Sequence, residues 1–120
     1  MCRLFIGADP DLWRQRARSL RIDGMATSIR LEEFFWATLE EIGLRDGLTL
    51  PALITRLYHE ALDADHDMGN FTSFLRVCCG RYRALIAAGE IAADLRVPLR
   101  DAPAEAILAR EAARRRPALQ

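Results

Sequence analysis

Hydrophobic and polar residues alternate along this chain with two different periods, and each stretch of constant period predicts an element. Between positions 49 and 62, Leu50, Leu53, Ile54, Leu57, Tyr58, Ala61 and Leu62 recur at the spacing of a helix with one buried face. Thr49 is placed to accept from a first-turn amide, Pro51 has no amide to lose there, and Asp46-Gly47 ends the element before it. That element is a helix over 32–45, with Phe35, Leu39 and Ile42 as its apolar stripe, widened by Phe34 and Trp36. Glu32 and Glu33 fall in its first turn, where the helix dipole favours acid. A third helix is predicted from Phe71 to near Gly89, with Phe71, Phe74, Leu75, Cys78, Tyr82, Leu85 and Ile86 on one side and Asn70 as its cap. Pro98 and Pro103 then interrupt the chain. Asp101 is placed to cap a fourth, alanine-rich helix that runs into Arg114-Arg115-Arg116-Pro117, and this tail is expected to be the least ordered part.

Ahead of the helices the period is two. Thr27, Ile29 and Leu31 alternate with Ala26, Ser28 and Arg30, which predicts a strand over 25–31. Ser19-Leu20-Arg21-Ile22 alternates likewise, and Asp23-Gly24 between the two suits a tight hairpin turn, so a second strand is predicted there. A single strand followed by two helices leaves its edge amides and carbonyls unpaired. A second copy of the chain removes that cost if the two strands pair antiparallel across a two-fold axis and four helices close one shared core. The outward face of such a ribbon is narrow enough for the DNA major groove, with Ala26, Ser28 and Arg30 toward the bases and Ile29 and Leu31 toward the core. Pairing of 19–22 with 25–31 inside one chain is the alternative. It either widens the sheet to four strands or occupies the edge meant for the second chain.

Composition narrows the class. A chain of 120 residues that is 51% hydrophobic and 28% charged has the make-up of one domain with a real core. No run approaches the roughly 20 apolar residues of a membrane span, and acid interrupts the start, MCRLFIGADPD, so neither a span nor a secretory signal is expected and the cytoplasm is the expected location. Three cysteines, two of them adjacent, make no disulfide framework and suit a reducing compartment; Cys78 reads as a small buried hydrophobe. The zero net charge conceals unlike segments: −1 over 1–11, +4 over 12–30, −7 over 31–70 and +4 over 71–120. All 17 basic residues are arginine, the better fork for phosphate and guanine.

Catalytic and metal chemistry find little footing. Asp63, Asp65 and Asp67 alternate as in a calcium loop, but Met68 stands where that loop needs glycine and Phe74 where it needs a bidentate glutamate. His59 and His66 read as capping or solvated side chains. The chain has no glycine-rich phosphate loop, G-x-S-x-G elbow, H-E-x-x-H or C-x-x-C, so no enzymatic activity, metal or cofactor is expected.

Thr27-Ser-Ile-Arg-Leu-Glu-Glu-Phe-Phe-Trp36, followed by Leu39, Ile42, Asp46-Gly47 and Thr49-Leu50 through Leu53-Ile54, resembles the ribbon-helix-helix superfamily of Arc and MetJ type regulators. Arg18-Ser-Leu-Arg-Ile-Asp-Gly24 and Asn70-Phe71-Thr-Ser-Phe-Leu-Arg76 narrow the likeness to bacterial ribbon-helix-helix domain proteins with an extra preceding strand and a third helix. The resemblance implies a mainly α fold with a short β ribbon, an intertwined homodimer with additional C-terminal helices, and binding of operator-like duplex DNA in transcription regulation. It implies Ser28 and Arg30, beside Ala26, as groove readers, and Thr49 and Leu50 at a helix amino end as a phosphate clamp, a role that free amides can fill. Arg14, Arg16, Arg18 and Arg21 then add backbone attraction on the ribbon's side. Their i, i+4 spacing suits the start of an ordinary helix equally well.

The expected divisions are an N-terminal arm over 1–17, the ribbon-helix-helix core over 18–66, a third helix over 67–89 packed on it, and a helical or partly disordered tail over 90–120. The third helix either joins the dimer core or presents Arg76, Arg81 and Arg83 to a partner or to flanking DNA. The rival to DNA reading is a dimeric protein-interaction module that docks a protein partner through the third helix or the tail.

Overall fold

The computed structural model describes residues 1–115. Asp23-Gly24 makes the hairpin: β1 (Gln15–Ile22) and β2 (Met25–Glu32) pair antiparallel, with Gln15 opposite Glu32 and Ile22 opposite Met25. Asp23 (φ 54°) and Gly24 (φ 80°) both adopt the left-handed backbone that a two-residue turn of this hand requires. The ribbon is therefore made within one chain. A short helix, α1 (Cys2–Ile6), precedes it and buries no residue. After it come α2 (Glu33–Arg45), α3 (Leu50–Asp63), α4 (Phe71–Ala87) and α5 (Ala104–Arg115).

β1 is twice as long as the predicted 19–22, and residues 15–21 are strand rather than helix start. Contacts distant in sequence hold its first half. Trp36 donates from Nε1 to the Arg16 carbonyl (2.9 Å), and the Glu33 amide donates to the Arg14 carbonyl (2.8 Å), so the beginning of α2 is fixed against the beginning of β1.

The α2–α3 connection follows its sequence signals. Gly47 takes φ 69°, and the Leu48 amide donates to the Gly43 carbonyl (2.8 Å). Gly43 allows this reversal, because a Cβ there would lie 2.8 Å from the Leu48 carbonyl oxygen. Thr49 Oγ1 accepts from the Ala52 amide (3.3 Å) and starts α3.

Two predicted caps are corrected. Asn70 stands at the amino end of α4 but makes no side-chain cap bond; Asp67 instead accepts from the Gly69 amide (3.0 Å) in a preceding 3-10 turn. Asp101 lies inside another 3-10 turn, and α5 starts three residues later, directly after Pro103.

The core lies beneath the hairpin. Leu20 and Ile22 of β1, Ile29 and Leu31 of β2, Trp36 and Leu39 of α2, Leu50, Leu53 and Ile54 of α3, and Leu75 and Cys79 of α4 form one buried cluster. On α4 the buried cysteine is Cys79, and Cys78 is only half-buried, because the face of α4 toward α2 runs through Leu75, Cys79 and Tyr82. α4 contacts both α2 and β2, so β1 and α4 together close a core that strand, α2 and α3 would otherwise leave open. Beyond α4 the chain crosses back to the end of α2, where Asp46 accepts from the Leu99 (2.8 Å) and Arg100 (3.2 Å) amides. α5 follows, with Ile107 buried and Arg81–Glu111 and Arg110–Glu90 ion pairs at its sides. Residues 116–120, with Arg116 and Pro117 of the predicted tail, lie outside the described residues. No helix among the described residues is long and apolar enough to cross a membrane.

Candidate nucleic-acid interface

The pairing register sorts the hairpin's side chains into two faces, because residues directly opposite one another point the same way. One face holds Arg16 with Leu31, Arg18 with Ile29, Leu20 with Thr27 and Ile22 with Met25, and it covers the core. The other holds Gln15 with Glu32, Ala17 with Arg30, Ser19 with Ser28 and Arg21 with Ala26. On it Ala17, Ser19, Arg21, Ala26, Ser28 and Arg30 are all exposed. Ala26, Ser28 and Arg30 thus share the outward face, as their alternation predicts, and β1 sets Ser19 and Arg21 beside them. The sequence contained the signal for these two, in the alternation of 19–22 and the hairpin turn, but singled out no reading role for Ser19.

The arginines expected on one side of the ribbon divide between its faces. Arg16 pairs with Glu33, and Arg18 pairs with Glu40 (3.0 Å) while its guanidinium lies 5.5 Å from the centre of the Trp36 ring. Both belong to the core-side face, where they attach β1 to α2 through opposite charges and an aromatic face. Arg14 precedes the strand and pairs with Asp11. Arg21 is on the outward face and donates to the Gly24 carbonyl (2.9 Å). Arg30 makes no ion pair or side-chain hydrogen bond among the described residues; Glu32 and Glu33, its sequence neighbours, are engaged by Arg76 and Arg16.

The same pairs determine where the acids of 31–70 act. Glu32 accepts from Arg76 Nε (3.0 Å), and its own backbone amide, then that guanidinium, hold its carboxyl below the ordinary value. With Glu33 and Glu40 matched to arginines of β1, the acids nearest the hairpin are compensated locally. Arg21 and Arg30 remain the charges of the exposed face, apart from the paired Glu32 at its far end.

At the amino end of α3, Thr49 is used as a cap, Pro51 has no amide, and the Ala52 amide is engaged by Thr49. The Leu50 side chain is buried in the core, so anything Leu50 offers a phosphate is its backbone N–H. The hairpin turn is tied to the same helix, His59 Nε2 lying 2.8 Å from Asp23 Oδ1.

The family model of the ribbon-helix-helix domain matches residues 15–83, from the first residue of β1 to the last third of α4. This chain belongs to that ribbon-helix-helix domain family. Its members are generally DNA-binding transcription regulators, a non-enzymatic fold family whose proteins typically bind DNA as dimers. The match takes in β1 and α4, so the hairpin and the core-closing helix are parts of the ribbon-helix-helix domain as this chain builds it. A solved structure, that of an uncharacterized protein from Bordetella pertussis Tohama I, is 52% identical to this ribbon-helix-helix protein, with a TM-score of 0.86, over 90% of this chain and 86% of that one. No curated protein matches the chain.

Proposed function

We propose that this ribbon-helix-helix protein is a sequence-specific reader of duplex DNA and a transcription regulator, of the repressor type, acting in the cytoplasm as a homodimer. The observation that carries the reading is the exposed hairpin face, on which Ser19 stands opposite Ser28 and Arg21 and Arg30 flank them, with Arg30 lacking any partner of its own among the described residues. Two strands about 5 Å apart fit a major groove about 12 Å wide, whereas a four-stranded sheet would not enter it. Arg30 is suited to the paired acceptors of guanine, and Ser19 and Ser28 to hydrogen bonds with any base edge. Ala26 offers contact only to a thymine methyl. Arg21, Arg14 and the amides of Thr49 and Leu50 supply phosphate contacts, while Arg16 and Arg18 act by fixing the ribbon on α2. In the dimer each chain presents its own hairpin, and two-fold symmetry sets the two ribbons on two half-sites.

The test is selection from a randomised duplex pool at physiological salt. An inverted repeat is expected among the bound sequences. Arg30→Ala is expected to lose about 1–3 kcal/mol of discrimination at one base position, roughly 5- to 150-fold, with overall fold unchanged. Folded protein that enriches no sequence refutes the reading. One observation favours a protein-interaction module instead: Leu4, Phe5, Ile6 and Trp13 form an apolar arm that is exposed ahead of β1. Docked by this arm rather than by the third helix or the tail, that module predicts no salt-sensitive DNA binding and a partner lost on truncation of residues 1–13.

A further inference from the structure

The chain ahead of β1 carries apolar side chains that cover nothing. α1 buries none of its residues, every residue from Met1 to Trp13 is exposed, and Leu4, Phe5, Ile6 and Trp13 are each two-thirds or more open to solvent. A 3-10 turn, Pro10–Trp13, sets the base of this arm against α2, so the arm leaves the domain from a fixed point. Its tip is cationic. The terminal amine and Arg3 make no ion pair among the described residues, and the two acids of the arm lie further on, Asp9 accepting from the Asp11 amide and Asp11 pairing with Arg14. Exposed apolar surface gathered in this way marks an interaction site.

A surface of matching chemistry lies between the end of α3 and the start of α4. A groove of about 290 Å³ there has Ala61, Met68, Phe71 and Phe74 in its walls. Tyr58, Phe71, Phe74 and His66 continue as a row of rings with successive centres 5.4, 5.9 and 6.0 Å apart. Asp67 lines the groove, and Glu60, Asp63 and Asp65 precede it in the same stretch; none of the four makes an ion pair among the described residues. By contrast Glu32, Glu33, Glu40 and Glu41 are each matched by an arginine. The larger apolar cleft beside α5, about 370 Å³, suits a cationic arm less well, because its charged lining residue is Arg81.

We infer that the arm of a second copy of this chain docks in the α3–α4 groove, its apolar residues 4–6 on Phe71 and Phe74 and its terminal amine and Arg3 toward the unmatched acids. Apolar burial supplies the affinity, and the opposite charges set the direction in which the arm lies. Each copy gives one arm and receives one, so the exchange is isologous and closes at two chains. The inference rests on the homodimer of the proposed function and on no part of its DNA reading, and it covers the apolar arm without a third protein.

The experiment is sedimentation velocity of the full chain over a concentration series. Phe5→Ser is expected to raise the dimer Kd about tenfold or more, and Arg3→Glu about fivefold, the second effect shrinking at high salt. Both side chains are exposed in the single chain, so circular dichroism of the variants is expected to be unchanged. Cys2 places a native thiol on the arm, and Ser73 lines the groove. On gentle oxidation Ser73→Cys is expected to give a disulfide-linked dimer that the added change Cys2→Ser abolishes, whereas Ser28→Cys, exposed on the outward hairpin face, gives no more dimer than the unaltered protein. Association of Phe5→Ser equal to wild type, a Ser73→Cys cross-link that forms within one chain or survives Cys2→Ser, or no cross-linked dimer above the Ser28→Cys level overturns the docking and leaves the homodimer standing. A wild type that stays monomeric throughout the series overturns both.

Discussion

Leu75 tests whether one chain closes its own core. It is fully buried on α4, in the cluster that contains Leu31, Leu39 and Ile54, and α4 is the helix that strand, α2 and α3 would lack by themselves. Leu75→Ala removes three carbons from that site, about 2.4 kcal/mol at about 0.8 kcal/mol per buried methylene. The cavity left behind adds to this, and deletions of this kind at fully enclosed sites cost about 2.7–5 kcal/mol. With a urea m-value of about 1–3 kcal/mol/M, the midpoint should fall by roughly 1–5 M. Val77→Ala, on the exposed side of the same helix, is the control, expected to change stability by less than about 0.5 kcal/mol. Urea unfolding followed by tryptophan fluorescence, in which the buried Trp36 changes environment and the exposed Trp13 adds a background, and by far-ultraviolet circular dichroism reads both variants. Equal midpoints for Leu75→Ala and Val77→Ala would refute the packing of α4 on the hairpin and the helices beneath it.

Three further outcomes are expected. Arg16→Ala removes the Glu33 pair that attaches β1 to α2, so it should lower affinity for all duplex sequences alike and lower stability by about 1 kcal/mol or less, read by binding titrations and urea midpoints; altered base preference with unchanged stability would contradict its place on the core-side face. Because Glu32 titrates below its ordinary 4.5 when folded, the stability it supplies is fully present above that value and is lost as pH falls through the folded value; the urea-midpoint gap between wild type and Glu32→Gln should be constant near neutrality and shrink below about 4.5, and a gap that widens on acidification would reverse the sign. Burial pushes the Cys78 and Cys79 thiols up to about 11 and about 12, while Cys2 is exposed, so a thiol reagent at mildly alkaline pH should modify one cysteine quickly and the other two only on unfolding; three equal rates would count against the burial of α4.

What could be read from the sequence depended on how local its cause was. The α3 stripe from Leu50 to Ala61, its Thr49 cap and the Asp23-Gly24 turn are set by neighbours within a few residues and stand in the structure where the pattern puts them; only Leu62, expected at the end of the stripe, is exposed. The first half of β1 was hidden because its core-side positions are Arg16 and Arg18, not aliphatic residues. Their strand is made tenable by Glu33, Glu40 and Trp36, roughly twenty residues on. Cys78 rather than Cys79 fits an ideal helical stripe, but the rotation of α4 is decided by the contact it makes with α2, which no period within α4 contains. The burial of Arg45 depends on the Val97 carbonyl, 52 residues away, and left no mark in the local sequence. For the candidate interface, the alternation of 26–30 gave the correct outward face on β2, and the register of the hairpin was needed to bring Ser19 and Arg21 onto it.

A ribbon assembled from two copies of one strand repeats itself: every side chain on it occurs twice, and a single codon change alters both occurrences. The hairpin of this protein has no such redundancy. Along its exposed face one strand carries Ala17, Ser19 and Arg21, the other Ala26, Ser28 and Arg30, running in opposite directions under no symmetry operator. Mutation can therefore vary six surface positions one at a time without duplicating any of them within the ribbon. A larger range of distinct surfaces is open to the same backbone, at the cost of encoding one extra strand.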